Sequence, residues 1–304
     1  MPPKLAQNWF GERERVTATA IGALFNQLGI AIGFLLAPPI IQNNAQNIPL
    51  LLAIDAALAL GSGLLVLVFF RSDPPTPPSA SQGFAKHDYP FSVVLKTVFR
   101  QPAFIVLLLS FGIGIGAFYA ISTLMDYLVI ALQYPSTDSS LFGMLVVLVG
   151  IAGAIIMGVL GDRTRRYKLL LCIALFGSAG CMVWFTLASV PDNRVMVAIC
   201  CSILGLFMTA VLPVGMDLSV EITYPMPEAI TTSLLMMSAQ IFGILFIFVM
   251  TALQEVSMSG SSWFLTAWTC VSALLMLLFK PEYKRVNAET VVHGTVNTLP
   301  VTGS

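Results

Sequence analysis

The chain has 304 residues, of which 57% are apolar and only 10% are Asp, Glu, Lys or Arg, where an ordinary soluble domain carries about 25% charged residues. Fifteen basic and fifteen acidic residues cancel, so there is no basic field for nucleic acid and no nucleic-acid partner is expected. With a mean hydropathy of +0.87 the chain reads as an all-α integral membrane protein whose partner is the lipid bilayer.

A helix needs about 20 mostly apolar residues to cross the hydrocarbon layer. Eight segments satisfy this, near 16–42, 48–70, 103–132, 140–160, 168–190, 195–217, 230–252 and 262–279. Their apolar runs are continuous, which disfavours the alternation of a barrel. The sequence divides into a two-span region (1–70), a polar Pro-rich cytoplasmic linker (71–101), a six-span region (102–280) and a disordered cytoplasmic tail (281–304). Within the linker, Phe91, Val94, Leu95, Val98 and Phe99 fall on one face with Lys96 and Arg100 off it, which predicts a short interfacial helix. Charge from Glu12 to Arg15 and the lack of a small-residue cleavage site predict no removable signal peptide.

Lys and Arg in short connections resist translocation. The eight spans place fourteen of the fifteen basic residues on one side and Arg194 alone on the other, so a multi-pass protein with both termini cytoplasmic is expected. Cys172, Cys181, Cys200, Cys201 and Cys270 lie in apolar runs without disulfide or zinc spacing, and no metal or other cofactor is expected. His87 and His293 lie outside the spans, and no nucleophile, base and orienting group assemble into a catalytic site.

Substrate sites of secondary transporters lie near the bilayer midplane. Gln27, Tyr119 and Gln240 each fall near the centre of a span and could share a cavity; bonding to a neighbouring helix accounts for each equally well. Asp55 and Asp126 sit in the outer thirds of their spans without a basic partner in any span, which raises either an outward vestibule attractive to cations or a solvated helix end. Asp126 follows Tyr119 by seven residues, so the two are expected on one face. At the cytoplasmic side, Asp217 and Glu221 end the sixth span, while Asp162, Arg163, Arg165 and Arg166 occupy the loop after the fourth. They could latch one of two conformations, or be solvated charge. Gly29/Gly33 and Gly112/Gly116 have the spacing of close helix packing, and Pro38, Pro39 and Pro213 are expected to bend their helices.

The run Gly158-Val-Leu-Gly-Asp162-Arg163-Thr-Arg-Arg166-Tyr-Lys168 resembles the cytoplasmic loop motif of the major facilitator superfamily, with Arg165 where that motif usually has glycine. Asn26-Gln-Leu-Gly-Ile-Ala-Ile-Gly-Phe34, Gly116-Ala-Phe-Tyr-Ala-Ile-Ser-Thr-Leu124, and Val220-Glu-Ile-Thr-Tyr-Pro225 with Ser238-Ala-Gln-Ile-Phe-Gly243 resemble the branch related to the feline leukaemia virus subgroup C receptor. The resemblance spans Trp9 to about Lys280. It implies a twelve-helix facilitator fold of which eight helices, equivalent to the fifth to twelfth, are present. It also implies a choline and ethanolamine carrier, with haem export as the alternative substrate; with four of twelve helices missing, a non-transporting subunit or regulator is the alternative role. Gln27, Tyr119 and Gln240, with Asn26 beside Gln27, match positions that line the family's substrate cavity. Asp126 stands where the family tends to have asparagine. A further polypeptide supplying four helices is a possible partner, and the plasma membrane is the expected location.

Overall fold

The computed structural model describes residues 9, 15–41, 45–70, 90–130, 134, 136–188, 193–256 and 260–279. Among them there is no strand. The helices are α1 (Arg15–Ile41), α2 (Ile48–Phe69), α3 (Phe91–Phe99), α4 (Pro102–Ile130), α5 (Ser136–Thr164), α6 (Tyr167–Ala188), α7 (Arg194–Thr223), α8 (Glu228–Val256) and α9 (Gly260–Leu278), with a single 3-10 turn, Ala45–Asn47, before α2. All eight expected spans are helical, and α2 and α4–α9 are long and apolar enough to cross a bilayer; in α1 the apolar stretch is Phe25–Ile41. The protein is a multi-pass membrane protein. The expected linker over Arg71–Tyr89, including His87, the tail beyond Lys280, including His293, and the charges before Arg15 lie outside the described residues.

Helices α4–α9 form one packed body. Lipid gives apolar side chains no incentive to leave it, so helices associate through close backbone approach and interhelical hydrogen bonds. The tightest pair is α5 on α7: a Cβ added to Gly153 would strike the Leu206 carbonyl, and one added to Gly205 the Val146 carbonyl. Helix α4 lies as closely on α8, where a Cβ at Gly116 would come 2.8 Å from Phe242 Cβ and 2.9 Å from the Gly243 nitrogen. Hydroxyls tie α4 into the body: Ser238 Oγ of α8 donates to the Leu108 carbonyl at 3.1 Å, and Ser272 Oγ of α9 to the Ser110 carbonyl at 2.8 Å.

The two Gly-xxx-Gly pairs part ways here. Gly112 and Gly116 sit in the α4–α8 contact, whereas a Cβ on Gly29 or Gly33 would meet nothing within 4 Å. The second pair makes no close packing among the described residues, because α1 turns Ile30, Ala31 and Phe34 toward the body instead. Helix α1 lies on α5, with Phe34 against Gly143. Helix α2 touches α1 and the short turn before it, and buries none of its residues.

Two further expectations are corrected. Helices α5 and α7 outrun their apolar segments, so Asp162 and Arg163 lie in the last turn of α5 rather than in a loop, and Glu221 lies in the last turn of α7. Pro38, Pro39 and Pro213 sit inside continuous helices. A helix-interior residue with non-helical torsions is Leu124 of α4 (φ −105°, ψ 16°). The predicted short helix exists as α3, but the face it buries is narrower than expected: Val94 and Val98 are buried in one cluster with Phe104, Leu218 and Phe279, while Phe91 and Phe99 are exposed.

Candidate functional site

The buried side chains divide into two clusters. One contains Phe142, Met182, Cys200 and Phe246; the other, toward the end where α3 lies, contains Val98, Leu171, Leu218 and Phe279. Tyr119 packs against both, which puts it at the boundary between the two layers. It is half-buried, its ring 6.0 Å from that of Phe118. A Cβ on Gly243 would lie 3.4 Å from Tyr119 Cβ and Cδ2, so Tyr119 faces the turn of α8 that begins at Gln240. The glycine at 116 permits this approach, since a side chain there would push the two helices apart, whereas a Cβ on Gly243 would make ordinary contact with the Tyr119 ring.

Gln27, Tyr119 and Gln240 lie within three residues of the midpoints of α1, α4 and α8. Tyr119 and Gln240 stand on helices that pack directly on each other, and Gln240 is exposed. Gln27 is half-buried on α1, which packs on α5 rather than on α4 or α8. Its Oε1 is buried and has no hydrogen-bond partner among the described residues, an expensive condition for an amide oxygen unless something else is to fill it. Asn26 is exposed.

Asp126 is exposed near the C-terminal end of α4 and accepts a hydrogen bond from Ser139 Oγ of α5. The break at Leu124 falls between it and Tyr119, so the shared face is not that of a straight helix. Residues Tyr119, Ser122, Thr123, Asp126 and Tyr127 nevertheless stay half-buried or exposed while Ile121, Leu124, Met125 and Leu128 are buried. Sequence reasoning picked out the two ends of this polar stripe and missed Ser122, Thr123 and Tyr127, although the i, i+3, i+4 spacing from Tyr119 was there to be read. It also missed that Arg194, at the start of α7, pairs with the buried Asp138 of α5 at 2.6 Å. Asp55 is exposed on α2.

At the opposite end, α5 stops in a left-handed cap. Arg165 has φ 51°, and its amide donates to the Gly161 carbonyl at 2.8 Å, the single bond that closes such a cap. Arg165 thus adopts the backbone conformation for which glycine is the default. Arg163 and Arg166 are exposed, and the side chain of Asp162 lies outside the described residues. Asp217 is exposed, whereas Glu221, one turn on, is 4% exposed, so these two carboxylates occupy different surroundings.

The profile of the Major Facilitator Superfamily matches residues 2–246. The chain belongs to the Major Facilitator Superfamily. It is 33% identical over 316 residues to the choline/ethanolamine transporter FLVCR1 of Felis catus, covering 99% of this chain and 56% of that protein. An uncharacterized MFS-type transporter of Caenorhabditis elegans is 36% identical over 308 residues, 96% of this chain and 52% of that one. The chain therefore spans about half the length of these curated relatives. Among solved structures, a bacterial homologue of the human lysosomal transporter Spinster superposes with a TM-score of 0.71 at 12% identity, over 91% of this chain and 73% of that one. The fucose:proton symporter of E. coli gives 0.61 at 13%, over 92% and 72%. These two likenesses establish a facilitator fold.

Proposed function

We propose that this facilitator carries a small organic cation of the choline or ethanolamine kind by alternating access, in a cavity lined by Gln27, Tyr119 and Gln240, with Asn26 and Asp126 at its margin. The observation that carries the reading is Tyr119, half-buried at the boundary of the two core layers and beside the turn of α8 that carries Gln240. A trimethylammonium group has no N–H and holds a diffuse charge, so it is bound best over an aromatic face with amide oxygens close by. The phenol ring supplies the face. The buried Oε1 of Gln27, unpartnered among the described residues, is an acceptor of the required kind. Similarity to the choline/ethanolamine transporter of Felis catus favours the same substrate class.

The wall opposite Tyr119 and Gln240 is assigned to further helices of a twelve-helix carrier, supplied by the same or another polypeptide. Asp217 and Glu221 on α7, with Asp162, Arg163 and Arg166 after α5, act in this reading as a latch on the cytoplasmic side, and both termini lie in the cytoplasm of a plasma-membrane protein. No bound cofactor takes part. The test is uptake of radiolabelled choline by cells expressing the protein, beside Tyr119→Ala and Gln240→Ala. Uptake above untransfected cells that falls at least tenfold in either variant is expected. Wild-type uptake at the background level would remove the assignment.

A further inference from the structure

From Tyr119 onward one side of α4 is left open by the six-helix body, and it is polar. Ser122 and Thr123 follow Tyr119 by one turn, and Asp126 and Tyr127 follow by two. Ser122 Oγ is shielded from solvent yet has no hydrogen-bond partner among the described residues. Asp126 is the stripe's one charge, and Ser139 of α5 fixes its carboxylate by donating a hydrogen bond to Oδ1. Arg194 is the single Lys or Arg on that side of the membrane in the expected orientation, and its guanidinium is taken up by Asp138. Among the described residues, Asp126 therefore keeps no cationic partner.

A carboxylate and an aromatic face choose different ammonium groups. The protonated primary amine of an ethanolamine-like solute has three N–H donors and a compact charge, and it forms charge-assisted hydrogen bonds to carboxylate oxygens. Choline's nitrogen has no N–H, and its methyl groups keep a carboxylate at a distance, so it gains comparatively more from an aromatic ring. Asp126 lies seven residues from Tyr119, about 10 Å along a helix, too far to touch a small ammonium already held at the ring.

Resting on the carrier reading above, we propose that Asp126, positioned by Ser139 and flanked by the hydroxyls of Ser122 and Thr123, forms a second station on the outward side of Tyr119 that selects N–H-bearing ammonium solutes over quaternary ones. The station recruits primary amines to the site and leaves choline dependent on Tyr119.

The test is equilibrium binding of ethanolamine and of choline to the purified protein in lipid nanodiscs, comparing wild type, Asp126→Asn, Ser139→Ala and Tyr119→Ala. Asp126→Asn is expected to weaken ethanolamine by a factor at least ten times larger than it weakens choline, with the choline binding that remains showing that the variant is folded. Ser139→Ala should move ethanolamine in the same direction by a smaller factor, and Tyr119→Ala should weaken choline more than ethanolamine. Equal shifts for both amines in Asp126→Asn and Ser139→Ala, or no shift in either, would overturn the station while leaving the carrier intact. Failure of both amines to bind the wild type would overturn the carrier reading and the station with it.

Discussion

Arg165 shows how much a single backbone torsion constrains this chain. A left-handed φ costs a non-glycine residue roughly 1–2 kcal/mol, and the cost is greatest for branched side chains crowded at Cβ. Arg165→Val is therefore expected to lower stability by about 1 kcal/mol, read as a lower melting temperature of the detergent-purified protein, with Arg165→Gly at or above wild type. Asp138 makes a parallel case at the other end. Its side chain is 9% exposed against 59% for Arg194, so Arg194→Ala strands a nearly buried carboxylate, and a loss of roughly 1–3 kcal/mol follows. The double variant Arg194→Ala/Asp138→Asn should recover most of that loss. The sequence marked Arg165 only as a departure from the glycine of a loop motif, and did not mark Asp138. The cap at 165 carries an arginine where glycine is the usual signal, and Asp138 and Arg194 are 56 residues apart, so that only the fold brings them together.

At the scale of the helix, existence was legible and edges were not. A continuous apolar run announces a span because its length is matched to the hydrocarbon layer, and all eight runs are helical. A helix does not stop where hydrophobicity stops, which is why α5 and α7 carry Asp162, Arg163 and Glu221 within their last turns. Small residues gave an equally divided lesson. Gly29/Gly33 and Gly112/Gly116 have the same spacing, and only the second meets a neighbouring helix; spacing licenses close approach but does not name the partner. Gly116→Val, which drives a side chain into Phe242 and the Gly243 backbone, should cost about 1–3 kcal/mol. Gly29→Val points into open space and should leave the melting temperature within 1–2 °C of wild type, by the small cost of exposed substitutions. If the two were equally harmful, the packing of α4 on α8 could not be the reason.

For the molecule as a whole, depth and charge organise the account. The polar residues placed at mid-span by counting include one, Tyr119, that packs on both layers of the core. How Gln27 and Gln240 relate to it was beyond counting, because depth along a helix carries no information on which way the helix faces. On the side opposite the cytoplasm, the expected topology gathers Asp55, Asp126, Asp138, Asp192 and Glu255 against Arg194 alone. Such a surface draws cations and its pull is screened by salt. Single cysteines at Ser79 and at Ser257 in a cysteine-free background should be labelled from opposite sides of sealed cells, Ser257 from outside, which tests that topology directly. The most direct test of the central claim is a cryo-EM map of the protein in lipid nanodiscs with choline. The account predicts ammonium density over the Tyr119 ring, with the amide groups of Gln27 and Gln240 turned toward it. Density elsewhere, with the three side chains buried in separate apolar interfaces, would contradict it.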